Sequence, residues 1–514
     1  MGISNSCRFA LTVSCSALAL AAAANPARAT DYIRGDSLLI STTTYQDTGA
    51  VAALVAGVSQ LPGANAGETS TAVSNGNLNT VWNNEVGDPS FGVTSAIGIS
   101  DLSSKTGAVL ASTILNPSIV STSFSSKSEL GLNLTKTSSG YVATFMGYAG
   151  GGVGNLDVSN SDTTAFKDTT NPVTSFFAPG ANQTYAFNRS VVAFNANGTY
   201  TATQTLAYGG NNGRSAVLAP NGLYYTVGNS NNGSGTPTQL TTTTGLEVAT
   251  PGTTPNSTMI NPTFKALPKD KAGKSSNFRG LTDYDGNLYF TKGSGSNGIN
   301  TVYTVTNPNG QLPTSSTAND ATISILPGFP TDSAKQTGGN FTPFGLFFAN
   351  PTTLYVADEG TGNATDATDH AGLEKWTLSN GTWSLDYTLQ SGLIGDTYTV
   401  PGWNFGETTI GLRNLTGQVN ANGTVTFWAT TSTSSGSGDN GADPNEIVEI
   451  TDALGQTSLP TSESFSVFDG PEAGLRYGGV AFAAPEPATW AMLLLGFAGL
   501  GFAGYRNRSA LSVG

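Results

Sequence analysis

The stretch NGRSAVLAPNGLYYTVGNSNNG, Asn212–Gly233, reads as strand, tight turn, strand, with Asn221-Gly222 at the turn. The theme returns in NFRGLTDYDGNLYFTKGSGSNG (277–298), TPFGLFFANPTTLYVADEGTG (342–362) and LTGQVNANGTVTFWATT (415–431). The turns there are Asp285-Gly286, Asn350-Pro351 and Asn422-Gly423. With Leu223, Leu288, Leu354 and Val425 as equivalent positions, the period is roughly 65 residues. Leu156, Ile97 and Leu38 continue it upstream at similar spacing, for seven units. Each unit has later strand-like runs, such as NTVYTV with ATISIL and GLEKWTL with WSLDYTL. Four antiparallel strands in a repeated unit make a propeller blade. The expected fold is therefore all-β, a seven-bladed β-propeller with long blades. The excess over the ~40–50 residues of common blades goes to loops such as 293–300 and 432–445. A sandwich needs no such repeat, and a β-helix has shorter coils.

The two ends of this region complement each other. RYGGVAFA, Arg476–Ala483, reads as a first strand with no second strand after it. DSLLISTTTY, Asp36–Tyr45, reads as a second strand with no first. Pairing them completes one blade and removes two exposed edges.

Only 11% of the 514 residues are charged, against ~25% in ordinary soluble domains. Sixty-four glycines and many Ser, Thr and Asn suit a turn-rich exported β protein. The net charge of −13 disfavours nucleic acid, whose phosphates need a basic surface. Cys7 and Cys15 are the two cysteines, and both lie near the N-terminus. That region has Arg8, an apolar run from Phe9 to Ala24, and Ala27-Arg28-Ala29 as an A-x-A cleavage site. Residues 1–29 are thus expected to be a signal peptide, with a mature chain starting at Thr30 and free of cysteine. The propeller domain is assigned to 30–484.

Near the C-terminus, APEPATWAMLLLGFAGLGFAGYRNR begins at Ala484. Residues 488–505 are uncharged and mostly apolar, and as a helix would be about 27 Å long, enough for one transmembrane helix. Arg506 and Arg508 follow, which predicts that 509–514 form a short cytoplasmic tail. Pro485-Glu486-Pro487, then Trp490-Ala491, the apolar span and the arginines resemble the PEP-CTERM sorting signal in its PEPxxWA variant. That resemblance assigns 485–508 to a sorting signal. It implies an exosortase, a membrane-embedded cysteine peptidase or transpeptidase of exopolysaccharide-producing Gram-negative bacteria, as partner. It also implies at least transient residence in the inner membrane. The basic cluster is thinner than the family pattern, with Asn507 between the arginines and Ser509–Gly514 trailing.

Chemical motifs are sparse. His370 is the sole histidine, which excludes HExxH and multi-histidine metal sites, and no G-x-S-x-G elbow occurs. AGKSS at Ala272 fails as a phosphate loop because Pro268 stands where its first glycine belongs. Asp439, Asp443 and Glu446, and separately Asp366 and Asp369, are candidate calcium ligands, although neither group matches the EF-hand pattern. No other cofactor is indicated. Arg214 and Arg279 precede their reference leucines at the same offset, and Arg413 and Arg476 fall at comparable strand entrances. Two readings stay open. The arginines ring one mouth of the channel and bind carboxylates or acidic sugars, or each pairs with a local acid such as Glu407 or Glu472 and pins blades together. The expected role is that of a binding or structural protein of the cell envelope or extracellular matrix, associated with exopolysaccharide or biofilm. The alternative is a calcium-dependent propeller hydrolase, lactonase-like or phytase-like.

Overall fold

The computed structural model describes residues 31–46, 48–63, 67–74, 82–83, 92–165, 172–177, 185–230, 240–335, 340–362, 370–403, 405–434 and 443–484. The expected signal peptide, the transmembrane helix 488–505 and the tail 509–514 lie outside them. Among the described residues no helix is long and apolar enough to cross a membrane.

The chain is all-β, with its sheets in a propeller-like arrangement. Each of the four quoted hairpins opens one independent antiparallel sheet. The first sheet runs Gly213–Leu218, Tyr224–Gly228, Gly245–Ala249, Thr258–Met259. The second runs Leu281–Tyr284, Asn287–Lys292, Thr301–Thr306, Thr322–Ile325. The third runs Pro343–Asn350, Thr353–Asp358, Gly372–Ser379, Thr382–Leu389. The fourth runs Gly406–Val419, Thr424–Ser434, Ile447–Ala453, Ser466–Asp469, with Thr397–Thr399 added at its inner edge.

The remaining long strands form a nine-stranded sheet made of two ladders. The closing ladder is Leu475–Ala483, Ser37–Thr44, Thr94–Ser103, Val109–Ile114. The entry ladder is Asn133–Thr137, Gly140–Ala149, Arg189–Asn195, Tyr200–Thr205. Val120–Ser123 pairs with a strand of each. The closure read from the two chain ends is present, with Ser37 opposite Ala483 and Thr44 opposite Leu475.

The seven-unit series does not extend upstream of Leu223. Leu38 and Ile97 belong to adjacent strands of the one closing ladder. Leu156 lies outside the named strands, bridged to Val93. An insertion between Thr44 and Thr94, which holds the short pair Gln60–Pro62 and Thr69–Thr71, separates two strands of the same ladder. Its length mimics a whole repeat.

Buried clusters join each ladder to the next. Val217 and Val227 pack with Leu288 and Phe290 between the first and second sheets. Tyr289 and Val302 meet Phe348 and Trp376 between the second and third. Tyr355 and Leu373 meet Phe427 and Val448 between the third and fourth. Trp428 and Ile447 meet Leu38 and Val480 at the closing ladder. Ile97 and Ala481 then meet Phe145 and Phe194 of the entry ladder, and Met146 and Val191 meet Ala216 and Tyr224 of the first sheet. Apolar burial thus runs from one ladder to the next and returns to its start.

The innermost strands run parallel to one another. Val480 N–H donates to Asn414 Oδ1 (2.6 Å) and Phe482 N–H to Thr416 Oγ1 (2.9 Å). Asn133 Nδ2 donates to Ala216 O (2.9 Å) and Thr135 Oγ1 to Leu218 O (2.8 Å). Small residues sit where these strands converge: Gly131, Ser215, Gly280, Gly345 and Asn414 line a space of only about 20 Å³. A Cβ on Gly280 would stand 1.8 Å from Phe344 O, and one on Gly345 2.6 Å from Arg413 O.

The turns differ in detail from the two-residue reading. Asp285 and Gly286 both take positive φ (52° and 72°), as a type I′ turn requires. At the Asn221-Gly222 turn only the glycine does so (78°), and Ala219 N–H donates to Leu223 O (3.0 Å), closing a longer loop.

Gly280→Ala should destabilise the protein by about 1–3 kcal/mol, the cost of overpacking against backbone. Gly252→Ala, where an added Cβ meets nothing within 4 Å, serves as the control. Equal denaturant midpoints for the two variants would refute the crowding at the axis.

Candidate functional site

One end of the channel opens into a cavity of about 470 Å³. Its charged lining residues are Lys127, Arg279, Glu359 and Arg413, with Ser294, Ser296, Asn300, Thr342, Thr361 and Ser432 around them. The fold explains this grouping. Arg279 stands just before the inner strand Leu281–Tyr284 and Arg413 midway along Gly406–Val419, so they arrive together from different sheets. The second strand of each hairpin returns to the same end, which brings Ser294 and Glu359.

Glu359 is the hub. Arg279 Nη1 lies 3.0 Å from Glu359 Oε1, and Arg413 Nε lies 3.4 Å from Oε2. Burial pushes the Glu359 carboxyl up, but Arg279, Lys127 and Arg413 outweigh it and hold the group below its ordinary range. Arg279 also donates to Ser128 Oγ (3.0 Å) and Ser294 Oγ (3.1 Å), and packs over the Phe344 ring. Three cations therefore surround one carboxylate.

Arg214 lies behind this group. It donates to Phe278 O (2.8 Å) and to Asn277 Oδ1, which ties the first sheet to the second. Burial, then Arg279, lowers its pKa to about 9. Arg214 and Arg279 thus occupy matching places on neighbouring sheets, as their offsets predict. Arg413 is buried, and burial pulls its pKa down while Glu359 pushes it up. Arg476 is 1% exposed, donates to Phe124 O (3.1 Å), and lies close enough to the buried Glu129 to stabilise its charge.

Arg279 and Arg413 take Glu359 as their acid. Glu407 accepts a hydrogen bond from Trp403 Nε1 (2.6 Å), and Glu472 is exposed before the closing strand. Glu359 serves two arginines from two sheets.

Lys292 was not singled out by the sequence, nor were Lys127, Glu359 and Ser294. Lys292 is fully buried beside the cavity and donates to Ser294 O (2.7 Å) and Asn300 Oδ1 (2.8 Å). Burial, then Arg279 and Arg214, lowers its pKa to about 7. A signal was present: Lys292 and Asp358 stand at the same offset beyond Leu288 and Leu354, where each hairpin returns to the mouth. Asp358 is pushed up to about 7 by burial and the nearby Glu374, and accepts hydrogen bonds from Thr342 and Gly360.

Of the calcium candidates, Asp443 and Glu446 fall among the described residues. Asp443 and Glu446 are buried at the start of Ile447–Ala453, while Asp439, Asp366 and Asp369 fall outside the described residues. Burial and Asp396 raise Glu446 to about 7. Among the described residues no group of three or more His, Cys, Asp or Glu is placed to hold a metal ion. His370 faces Glu374, whose other oxygen accepts from Trp376 Nε1 (2.7 Å).

The sorting tail is identified independently. Residues 483–508 match the PEP-CTERM protein-sorting motif. That motif implies export to the cell envelope or extracellular space and sorting by an exosortase. No curated protein matches the chain. Among solved structures, a candidate 6-phosphogluconolactonase from Bacteroides fragilis aligns over 86% of this chain and 98% of its own, at 11% identity and a TM-score of 0.32. A glucose dehydrogenase aligns over 65% and 89%, at 13% identity and 0.31. A family PL25 ulvan lyase aligns over 87% and 97%, at 9% identity and 0.27. At these scores neither fold nor function follows from the likeness.

Lys292 gives the site a pH signature. Its folded pKa of about 7 lies below the ordinary 10.5, so between those values the unfolded chain binds more protons and stability rises with pH. Lys292→Met should flatten that rise in denaturant titrations from neutral to alkaline pH. An unchanged slope would overturn the assignment.

Proposed function

We propose that this is an exported binding protein whose propeller holds six blades and whose channel mouth takes an anionic saccharide of the extracellular matrix. The blade number counts the closing and entry ladders with the four independent sheets. The observation that carries the ligand class is the cavity with Lys127, Arg279 and Arg413 about a single carboxylate, in a chain of net charge −13. Guanidinium forks match carboxylates in a bidentate manner, and a half-desolvated cavity strengthens such contacts. Hydroxyl and amide groups of Ser294, Ser296, Thr361 and Asn300 suit sugar hydroxyls. A uronate fits both. The sorting tail supports the matrix setting, because its resemblance is to proteins of exopolysaccharide producers.

Binding is favoured over hydrolysis by the state of Glu359. Its cationic neighbours keep it ionised, which makes it a poor proton donor at neutral pH. The cationic excess then acts on the ligand's charge.

Calorimetric titration of the full-length protein should show binding of polygalacturonate that weakens with added salt, and none of dextran. Lys127→Ala leaves the Glu359 pairs with Arg279 and Arg413 in place and should weaken binding about tenfold, the worth of one charged hydrogen bond. Equal binding of dextran, or affinity indifferent to salt, would count against the reading.

The sorting step is proposed to remove the tail near Pro487, with the span 488–505 resting in the inner membrane until then. Intact-mass measurement on protein from an exosortase-bearing host should find Thr30 at the start and an end near Pro487. A chain reaching Gly514 would make the tail a permanent anchor.

A further inference from the structure

The closing strand places the two ends of the propeller relative to the sorting tail. Leu475–Ala483 begins beside the mouth, where Arg476 is buried, and runs with the other inner strands toward the opposite face. From Arg476 to Ala484 is about 26 Å at ~3.3 Å per strand residue. The tail therefore leaves from the face opposite the cationic cavity.

The exit is tightly fixed. Ala483, the first residue of the sorting motif, is fully buried, and its carbonyl accepts the Asp36 N–H (2.7 Å). The next carbonyl, on Ala484, accepts the Tyr141 hydroxyl (2.7 Å). The apolar stretch starts at Ala488. Four residues reach at most about 14 Å, so the folded body has almost no spacer.

The composition of this face fits what so short a stem imposes. The hairpin turns gathered there, 137–140, 219–223, 284–287, 350–353 and 420–424, contain Asp285 as their single charged residue. Asp36, at the exit, is paired with Lys105 (3.1 Å), so these turns offer an anionic lipid surface little repulsion. Beside the exit stand the half-buried Tyr32 and Tyr141, with Lys136 Nζ 5.6 Å from the Tyr141 ring centre. Tyrosine and lysine are side chains that settle at a membrane interface, ring or stem inward and polar end toward the headgroups.

We propose that, before the tail is cut, the exit face rests on the lipid headgroups of the inner membrane and holds the cationic mouth away from the bilayer. This rests on the reading that 488–505 spans the membrane. It gives that face a partner, a phospholipid surface, and leaves the mouth open to soluble or polymeric ligands on the far side.

The test uses the full-length chain with Cys7→Ser and Cys15→Ser, made without exosortase and reconstituted in phosphatidylethanolamine–phosphatidylglycerol vesicles. The vesicles carry a nitroxide on a fraction of their headgroups. Single fluorophores are attached through Ser139→Cys or Asn422→Cys on the exit face, and through Thr361→Cys or Ser296→Cys at the mouth; all four positions are exposed. Fluorescence should be lost at both exit-face sites and kept at both mouth sites. Similar quenching at the two ends, or quenching at the mouth alone, overturns the docking while the span stands. Protein that fails to float with the vesicles overturns the span and the docking with it.

Discussion

The pairing of Leu475–Ala483 with Ser37–Thr44 is the interaction on which the rest of the structure depends. Every ladder packs on the next through a shared apolar cluster, but such a chain of ladders has two open ends until this pair forms. The closing strand satisfies the edge of Ser37–Thr44. It also carries Val480 against Trp428 and Ile447, and Ala481 against the entry ladder. Asn445 reinforces the seam, accepting from Tyr477 N–H (2.8 Å) and donating to Tyr477 O (3.1 Å). Without closure the inner strands would have no reason to converge.

Convergence in turn sets the chemistry. Where the inner strands meet, Gly131, Ser215, Gly280, Gly345 and Asn414 let the backbones approach closely, and the axis is nearly filled. One step toward the mouth the strands diverge and long side chains are accommodated. Arginines are placed there, too far from bulk water to be well solvated and too near one another to be neutralised by separate acids. Glu359 reaches two of them at once. Removing one partner of such a buried pair typically costs 3–5 kcal/mol. The same residues that could receive a ligand are therefore also part of what holds the third and fourth sheets to the second.

The downstream hairpins were legible because each keeps its strands and its turn within about twenty contiguous residues, and turn chemistry is local. Closure was legible because each end lacked the partner that the other supplied. The blade count was not. Thr44 and Thr94 bracket an insertion whose length imitates the repeat, and periodicity cannot tell a new blade from a long connection inside one. The offsets of Arg214 and Arg279 revealed their shared position, yet the acid that joins Arg279 to Arg413 was out of reach. Glu359 lies just past the return strand of another sheet, and no spacing rule links it to either arginine. Glu407 and Glu472 were nearer in sequence but are turned to other partners or to solvent.

Closure by the last strand also orders events in time. A chain threaded outward from its N-terminus exposes Ser37–Thr44 first and Leu475–Ala483 last, so even after pairing with Thr94–Ser103 the first-emerging strand keeps one edge open through nearly the whole of translocation. Contacts this distant along the chain form slowly, and an unpaired edge in the meantime invites association with other chains. Under the proposed span at 488–505, the residues that end the wait are followed almost at once by the stretch that halts passage. On that proposal the ring closes only as the chain comes to rest, which couples the completion of folding to the arrest of transport.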